Sequence, residues 1–245
     1  MRIRLTRPFL LSAAVVLCAI GGIAWAVAVR NSIAYAVPAG AQHIRTIAHA
    51  PPDDVPEETS TKNAVSLQFM TRGYCYAGSQ LKDTKASGGF GPSDNAPKKV
   101  RARSNANALF LLAQPGVAMP FAGGPGMRVT LVNDTQDLLA FEASDSRLAI
   151  TQESQDTDGN WKPVEYLPSS WCGNSYHRVF LLSGHFWEFS APRYQGTVPT
   201  KLRFAMVLAD GSQLYSNVFD GSVNPDQFTM KEGHNATNLM DPYNE

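Results

Sequence analysis

The sequence predicts an all-β chain, an antiparallel sandwich or barrel preceded by one N-terminal membrane-spanning helix. Three observations lead there. The chain opens with an uncharged run of 21 residues from Phe9 to Val29. Beyond Gly126, short runs rich in β-branched and aromatic residues recur at spacings of about 8–12 residues, with turn-forming residues between them. No long stretch repeats apolar residues at the helical period.

At about 1.5 Å per residue the Phe9–Val29 run is long enough to cross a hydrocarbon layer of roughly 30 Å. Arg2, Arg4 and Arg7 precede it and Arg30 alone follows. The positive-inside rule therefore places the N-terminus in the cytoplasm and everything after Arg30 outside. Ala34-Tyr35-Ala36 is a small-x-small site, so residues 1–30 are a signal anchor or a cleaved signal peptide. The expected product is a single-pass membrane protein with a periplasmic or extracellular C-terminal domain, or alternatively a secreted one. Leu17 stands where a lipoprotein needs a small residue before its cysteine, so Cys18 reads as a small membrane-buried hydrophobe.

Residues 31–62 hold Pro38, Pro51, Pro52, Pro56 and an acidic cluster with no sustained apolar period. Such a segment buries too little surface to offset its ordering entropy and reads as a flexible tether. Residues 63–124 read as accessory strands and a long loop. Val65–Met70 alternates apolar and polar residues and reads as a short strand, and Ala108–Ala113 is an apolar run that precedes a turn-rich stretch from Gly116 to Gly126. Between them the chain is rich in Gly, Ser, Asn and Pro and carries the basic group Lys98, Lys99, Arg101 and Arg103, which reads as a solvated loop.

The main domain is expected over 125–230, with a C-terminal tail at 231–245. Its strands are Met127–Val132, Leu138–Ala143, Arg147–Gln152, Trp161–Tyr166, His177–Leu182, His185–Ser190, Lys201–Leu208 and Gln213–Phe219. Asp156-Thr157-Asp158-Gly159-Asn160 and Asp210-Gly211-Ser212 supply the positive-φ chemistry of tight hairpins. The 104 residues from Pro125 to Phe228 match the size of an immunoglobulin-type sandwich, about 100 residues.

The runs NWKPVEYLPSS, FWEFSAPRYQGTVPTKLRFAMVL and LYSNVFDGSV resemble the immunoglobulin- or fibronectin-III-like sandwich domains of exported bacterial proteins. The resemblance covers about residues 125–228. It implies an antiparallel immunoglobulin-like β-sandwich in an exported setting and supplies no catalytic residues. The antibody Cys…Trp…Cys spacing is absent.

Charge narrows the function classes. Removing the four N-terminal arginines from the 21 basic groups leaves 17 against 21 acids, a net −4 for residues 31–245. A generic nucleic-acid binder is disfavoured, and nucleic acid is not an expected partner. The densest chemistry is SSWCGNSYH at 169–177. Cys172 and His177 could form a thiolate–imidazole pair, but only 73 residues follow Cys172, too few for the papain-like order of partners. Gly173-Asn174-Ser175-Tyr176-His177 lacks the second glycine of a nucleophile elbow. Cys172, His177 and His185 could offer metal ligands, yet no histidine lies between His49 and His177 to complete a copper site. Asp156-Thr157-Asp158-Gly159 imitates a calcium loop without its later ligands.

The stretch therefore reads as a folded corner. After the anchor, Cys75 and Cys172 are an even pair in an oxidising compartment and are expected to form a disulfide. Trp171, Tyr176, His177 and Trp187 are candidate lining residues of a ligand cleft at the sandwich end. No catalytic residue, metal or cofactor is expected. The predicted function is a membrane-tethered extracytoplasmic binding or structural module, with the membrane and an envelope protein or glycan as partners. The alternative is an exported hydrolase or metal-binding protein using the Cys172/His177 corner.

Overall fold

Alternating burial along short runs shapes the fold. A computed structural model describes residues 64–103, 106–122, 124–168 and 173–232. The segments expected to form the N-terminal helix and the tether, together with Trp171, Cys172 and nearly all of the C-terminal tail, lie outside the described residues. Among the described residues no helix is long and apolar enough to cross a membrane. Apart from two 3-10 turns, the regular structure there is β: β1 Thr71–Arg72, β2 Lys98–Lys99, β3 Leu109–Phe121, β4 Gly124–Asn133, β5 Leu139–Ser144, β6 Arg147–Leu148, β7 Ile150–Gln155, β8 Trp161–Pro163, β9 Glu165–Tyr166, β10 Tyr176–Leu181, β11 His185–Pro192, β12 Val198–Val207, β13 Gln213–Tyr215 and β14 Phe219–Val223.

The sheets are antiparallel, as short connections require. One has the order β2-β11-β4-β3, a second β10-β5-β6, and a third β13-β12-β7-β8 with β14 also on β12. The short β1–β9 pair is parallel. Three hairpins follow from turn chemistry. Gly159 (φ +81) and Gly211 (φ +80) take left-handed conformations, while Asp156 Oδ1 and Asp210 Oδ1 accept from the N–H groups of Asp158 and Ser212. The β5–β6 turn instead puts two L-residues at positive φ, Asp145 (48) and Ser146 (65).

Side chains from all three larger sheets meet in one core. Met127, Leu131 and Trp187 come from the first, Phe141 and Val179 from the second, and Ile150, Phe204 and Met206 from the third. Cys75 and Ala77, far upstream in sequence, belong to it as well. Each fully buried Leu, Phe or Met is worth about 1.5–3 kcal/mol relative to exposure. Where β4 and β10 end, buried Asn133 donates through Nδ2 to the carbonyls of Asp137 and Leu181, and its Oδ1 accepts from Thr135. One amide thus fixes the crossing of the chain from the first sheet to the second.

Several expectations change: the runs expected as single strands at 147–152, 161–166 and 213–219 each divide between two strands. Val65–Met70 is not a regular strand: only Val65 and Met70 form isolated bridges, to Tyr194 and Lys231. Its neighbours there are single residues rather than a strand edge, so no ladder can grow. The turn-rich reading of 116–126 also fails, because β3 runs through Pro115 and Gly116 with a register shift between Gln114 and Ala118. A bulge on an edge strand accommodates a residue without an N–H.

Candidate functional site

The segment between Gly78 and Arg103 packs over two strand edges and leaves a cleft beside each. The first cleft, about 340 Å³, lies along β11 and is lined by Tyr74, Tyr76, Asn95, Phe121, Glu188 and Ser190 among others. Its rings come from two places: Tyr74 and Tyr76 flank buried Cys75, and Phe121 ends β3. The Tyr74 and Phe121 rings meet edge to face at 4.8 Å. Tyr76 is 42% exposed, so a ring face is available to a ligand.

The side chains of Glu188, Asn95 and Ser190 in this cleft are already matched. Glu188 Oε1 accepts from Lys98 Nζ at 2.9 Å, and Oε2 lies 3.4 Å from Arg128. The hydrogen bond from Lys98 holds the Glu188 carboxyl below its ordinary range. Asn95 Nδ2 donates to the carbonyls of Tyr76 and Glu188, and Ser190 Oγ donates to the Pro120 carbonyl.

Beneath the ring wall sits a buried polar cluster. Glu165, 1% exposed, accepts through Oε1 from the hydroxyls of Tyr74 (2.9 Å) and Tyr194 (2.6 Å) and from Gln152 Nε2 (3.1 Å). Its Oε2 accepts from the Gln152 main-chain N–H at 2.8 Å. Burial pushes the Glu165 carboxyl up to about 7 against the pull of these donors. Burial, followed by the neighbouring Glu165, raises both tyrosine hydroxyls well above their usual range. Gln152 Oε1 is buried and finds no hydrogen-bond partner among the described residues. The Cys75 thiol is likewise pushed up by burial, which makes it a poor nucleophile.

The second cleft, about 290 Å³, is bordered by Ser79, Leu81, Asp83, Phe90, Ser146 and His177 among others. The Phe90 ring stacks on the His177 imidazole at 3.6 Å. His177 Nδ1 lies 3.2 Å from the Ser175 carbonyl, and Nε2 lies 3.4 Å from Ser146 Oγ. With Nδ1 carrying the proton, Nε2 faces the serine as an acceptor. The single Ser146 hydroxyl proton goes to the Gly91 carbonyl at 2.8 Å, so it reaches Nε2 only when that bond is released.

The three candidate lining residues among the described residues are dispersed. His177 borders the second cleft, Tyr176 is half-exposed at the start of β10, and Trp187 is enclosed in the core with Nε1 donating to the Gly78 carbonyl. Trp171, with Cys172, lies outside the described residues. Lys98 and Arg103 from the basic group serve the fold, pairing with Glu188 and Asp134. Among the described residues no group of three His, Cys, Asp or Glu side chains is placed to hold a metal ion.

The Glu165 cluster was not visible from residue types. A weak signal existed, because the alternation of β7 puts Gln152 and Ser154 on the same face as Ile150. Polar residues at core parity need buried partners. No protein-family model matches the chain, and neither a curated protein nor a solved structure matches it.

Proposed function

We propose that this chain is an exported binding module, an immunoglobulin-like β-sandwich tethered to a membrane by the helix at 9–29, with the cleft along β11 as its ligand site. The observation that carries this reading is the cleft's division of labour. Its ring surface is open at Tyr76, while the side chains of Glu188, Asn95 and Ser190 already have partners within the chain. A carboxylate kept ionised by Lys98 and Arg128 suits electrostatic positioning and not proton transfer near neutrality. An envelope protein or glycan is the partner class. The test is binding of full-length chain in detergent micelles to envelope oligosaccharides and peptides, with Tyr76→Ala as control. Tyr76→Ala is expected to weaken binding, and ligands indifferent to it would place the site elsewhere.

The disulfide belongs to the same reading, joining Cys75 to Cys172 after export. A thiol count on the exported chain checks it: in denaturant without reductant the bridge leaves Cys18 as the one reactive thiol, and three reactive thiols exclude the bridge.

A second reading is favoured by one observation, the approach of Ser146 Oγ to His177 Nε2 with Ser146 in a left-handed conformation. It makes the His177 corner an exported hydrolase with Ser146 as nucleophile. A fluorophosphonate probe should then label Ser146, and His177→Ala should abolish labelling. An unlabelled protein removes this reading.

A further inference from the structure

We propose that the free edge of β11 between Glu188 and Pro192 takes up an extended peptide of a partner protein, which adds as an antiparallel strand in line with β2; this rests on the reading of the β11 cleft as the ligand site. The main-chain parity of β11 leads to it. Glu188 gives its carbonyl to Asn95 Nδ2, so its main-chain groups point away from β4. In an antiparallel strand every second residue does the same, which puts Phe186, Ser190 and Pro192 on that edge too.

Each of the four positions on that edge is served differently. Phe186 is opposed by Lys98 of β2. The Glu188 carbonyl is met by the Asn95 side chain, which imitates a strand. Pro192 has no N–H, and its carbonyl accepts from Gln152 Nε2. At Ser190 the N–H and C=O both face the cleft, and no strand among the described residues pairs with this edge beyond Phe186. One matched donor and acceptor, on the line where β2 stops, is what an incoming backbone completes.

The side chains favour a peptide over a saccharide. Sugar recognition uses side-chain carboxylates and amides aimed at hydroxyls, but Glu188, Asn95 and the Ser190 hydroxyl already have intramolecular partners. What remains is main chain and ring surface, with the Tyr76 hydroxyl at its rim. A strand added here alternates its side chains, one toward Tyr74 and Phe121 and the next over the sheet face beside Lys98 and Arg128. Two cations against the single Glu188 carboxylate leave that face net positive. The fitting partner is an extended segment that alternates apolar and acidic residues. A cleft of about 340 Å³ lies at the small end of ligand sites, about 300–1,000 Å³, and suits a few residues of such a segment.

The test uses full-length chain in detergent micelles and a fluorescent octapeptide alternating glutamate with valine and tyrosine. Two further versions carry N-methyl groups on one or the other alternate set of amides. The parent peptide is expected to bind; one N-methylated version should lose about tenfold in affinity and the other little, since only one set faces β11. Ser190→Pro, which removes the edge N–H, should weaken binding similarly, while Ser190→Ala, which keeps the main-chain groups, should retain it. Equal binding of both methylated versions, or an indifferent Ser190→Pro chain with an unchanged circular-dichroism spectrum, overturns strand addition. Envelope oligosaccharides that bind in a Tyr76-dependent way without competition from the peptide leave the cleft reading standing and overturn the peptide. No Tyr76-dependent binding of either probe class overturns both.

Discussion

The edges of β10 and β11 face the same long segment and meet different fates. Along β10, Asp83 Oδ2 accepts from the Arg178 N–H at 2.9 Å and Ser79 Oγ from the Phe180 N–H at 3.1 Å, while Asp83 Oδ1 takes the Arg178 guanidinium at 2.6 Å. Side chains occupy the places of a neighbouring strand's carbonyls, and the edge is closed to other chains. Along β11 the cover stops at Asn95, and the Ser190 position stays open. The difference teaches that sealing an edge takes a residue every second position. Where the covering segment turns aside, a binding edge is left without any specialised loop.

The carboxylates behind the two edges also differ in sign, and pH separates them most strongly. Glu165, which anchors the Tyr74 wall, has its ordinary value of 4.5 raised to about 7 in the fold. Between those values the folded chain keeps a proton that the unfolded chain has lost, so its contribution to stability falls as pH rises through that window. The loss is about 3 kcal/mol at roughly 1.36 kcal/mol per pH unit. Protonation has a route: a proton on Oε1 can turn the Tyr194 hydroxyl toward Thr71 Oγ1, 2.6 Å away. Denaturant titrations from pH 4.5 to 7.5 should show this decline, and Glu165→Gln should flatten it.

Asp83 behaves oppositely. The Arg178 hydrogen bond holds its carboxyl well below the usual range. Its contribution is present above the unfolded value of 3.8 and is lost as pH falls toward the lower folded value. Asp83→Ala should cost about 2–3 kcal/mol in denaturant titration at pH 7, because it removes charge-assisted hydrogen bonds at a buried site. It should also add concentration-dependent self-association, measured by sedimentation, as the β10 edge opens. A fully monomeric variant would show that Asp83 does not guard that edge.

Trp187 ties the covering segment to the core between the two edges through Nε1 and the Gly78 carbonyl, at 2.9 Å. Trp187→Phe should cost about 1–2 kcal/mol, one hydrogen bond plus imperfect filling, and should speed hydrogen exchange in the 78–83 segment. The smallest effect is Ser79→Ala. It should cost about 1 kcal/mol or less and raise exchange at the Phe180 amide, leaving exchange around Ser190 unchanged. A change at Ser190 would mean that the two edges are coupled.

The strands were largely legible because burial on one face writes a period of two, and the Asp-Gly turns mark where it restarts. Val129, Leu131, Phe141, Val179 and Phe204 all lie at core positions within strands expected from their alternation. Reading Gly116–Gly126 as turn-rich underestimated β3, since an edge strand tolerates Pro115 and Gly116. Of the ligand-lining candidates, His177 borders the second cleft, while Trp187 is taken up by the core. Tyr74 and Tyr76, which flank Cys75, supply the ring wall instead.

Composition and alternation alone determined that this chain forms β-structure around an apolar core, because each strand's inward face is recorded locally in its own residues. Only the tertiary structure decided which polar groups share a site. Glu165 meets Tyr74 and Tyr194 from positions 91 and 29 residues away, and the open place at Ser190 depends on where Asn95, nearly a hundred residues upstream, leaves the edge. Such partnerships arise when distant strands are brought side by side, and no short-range pattern encodes them.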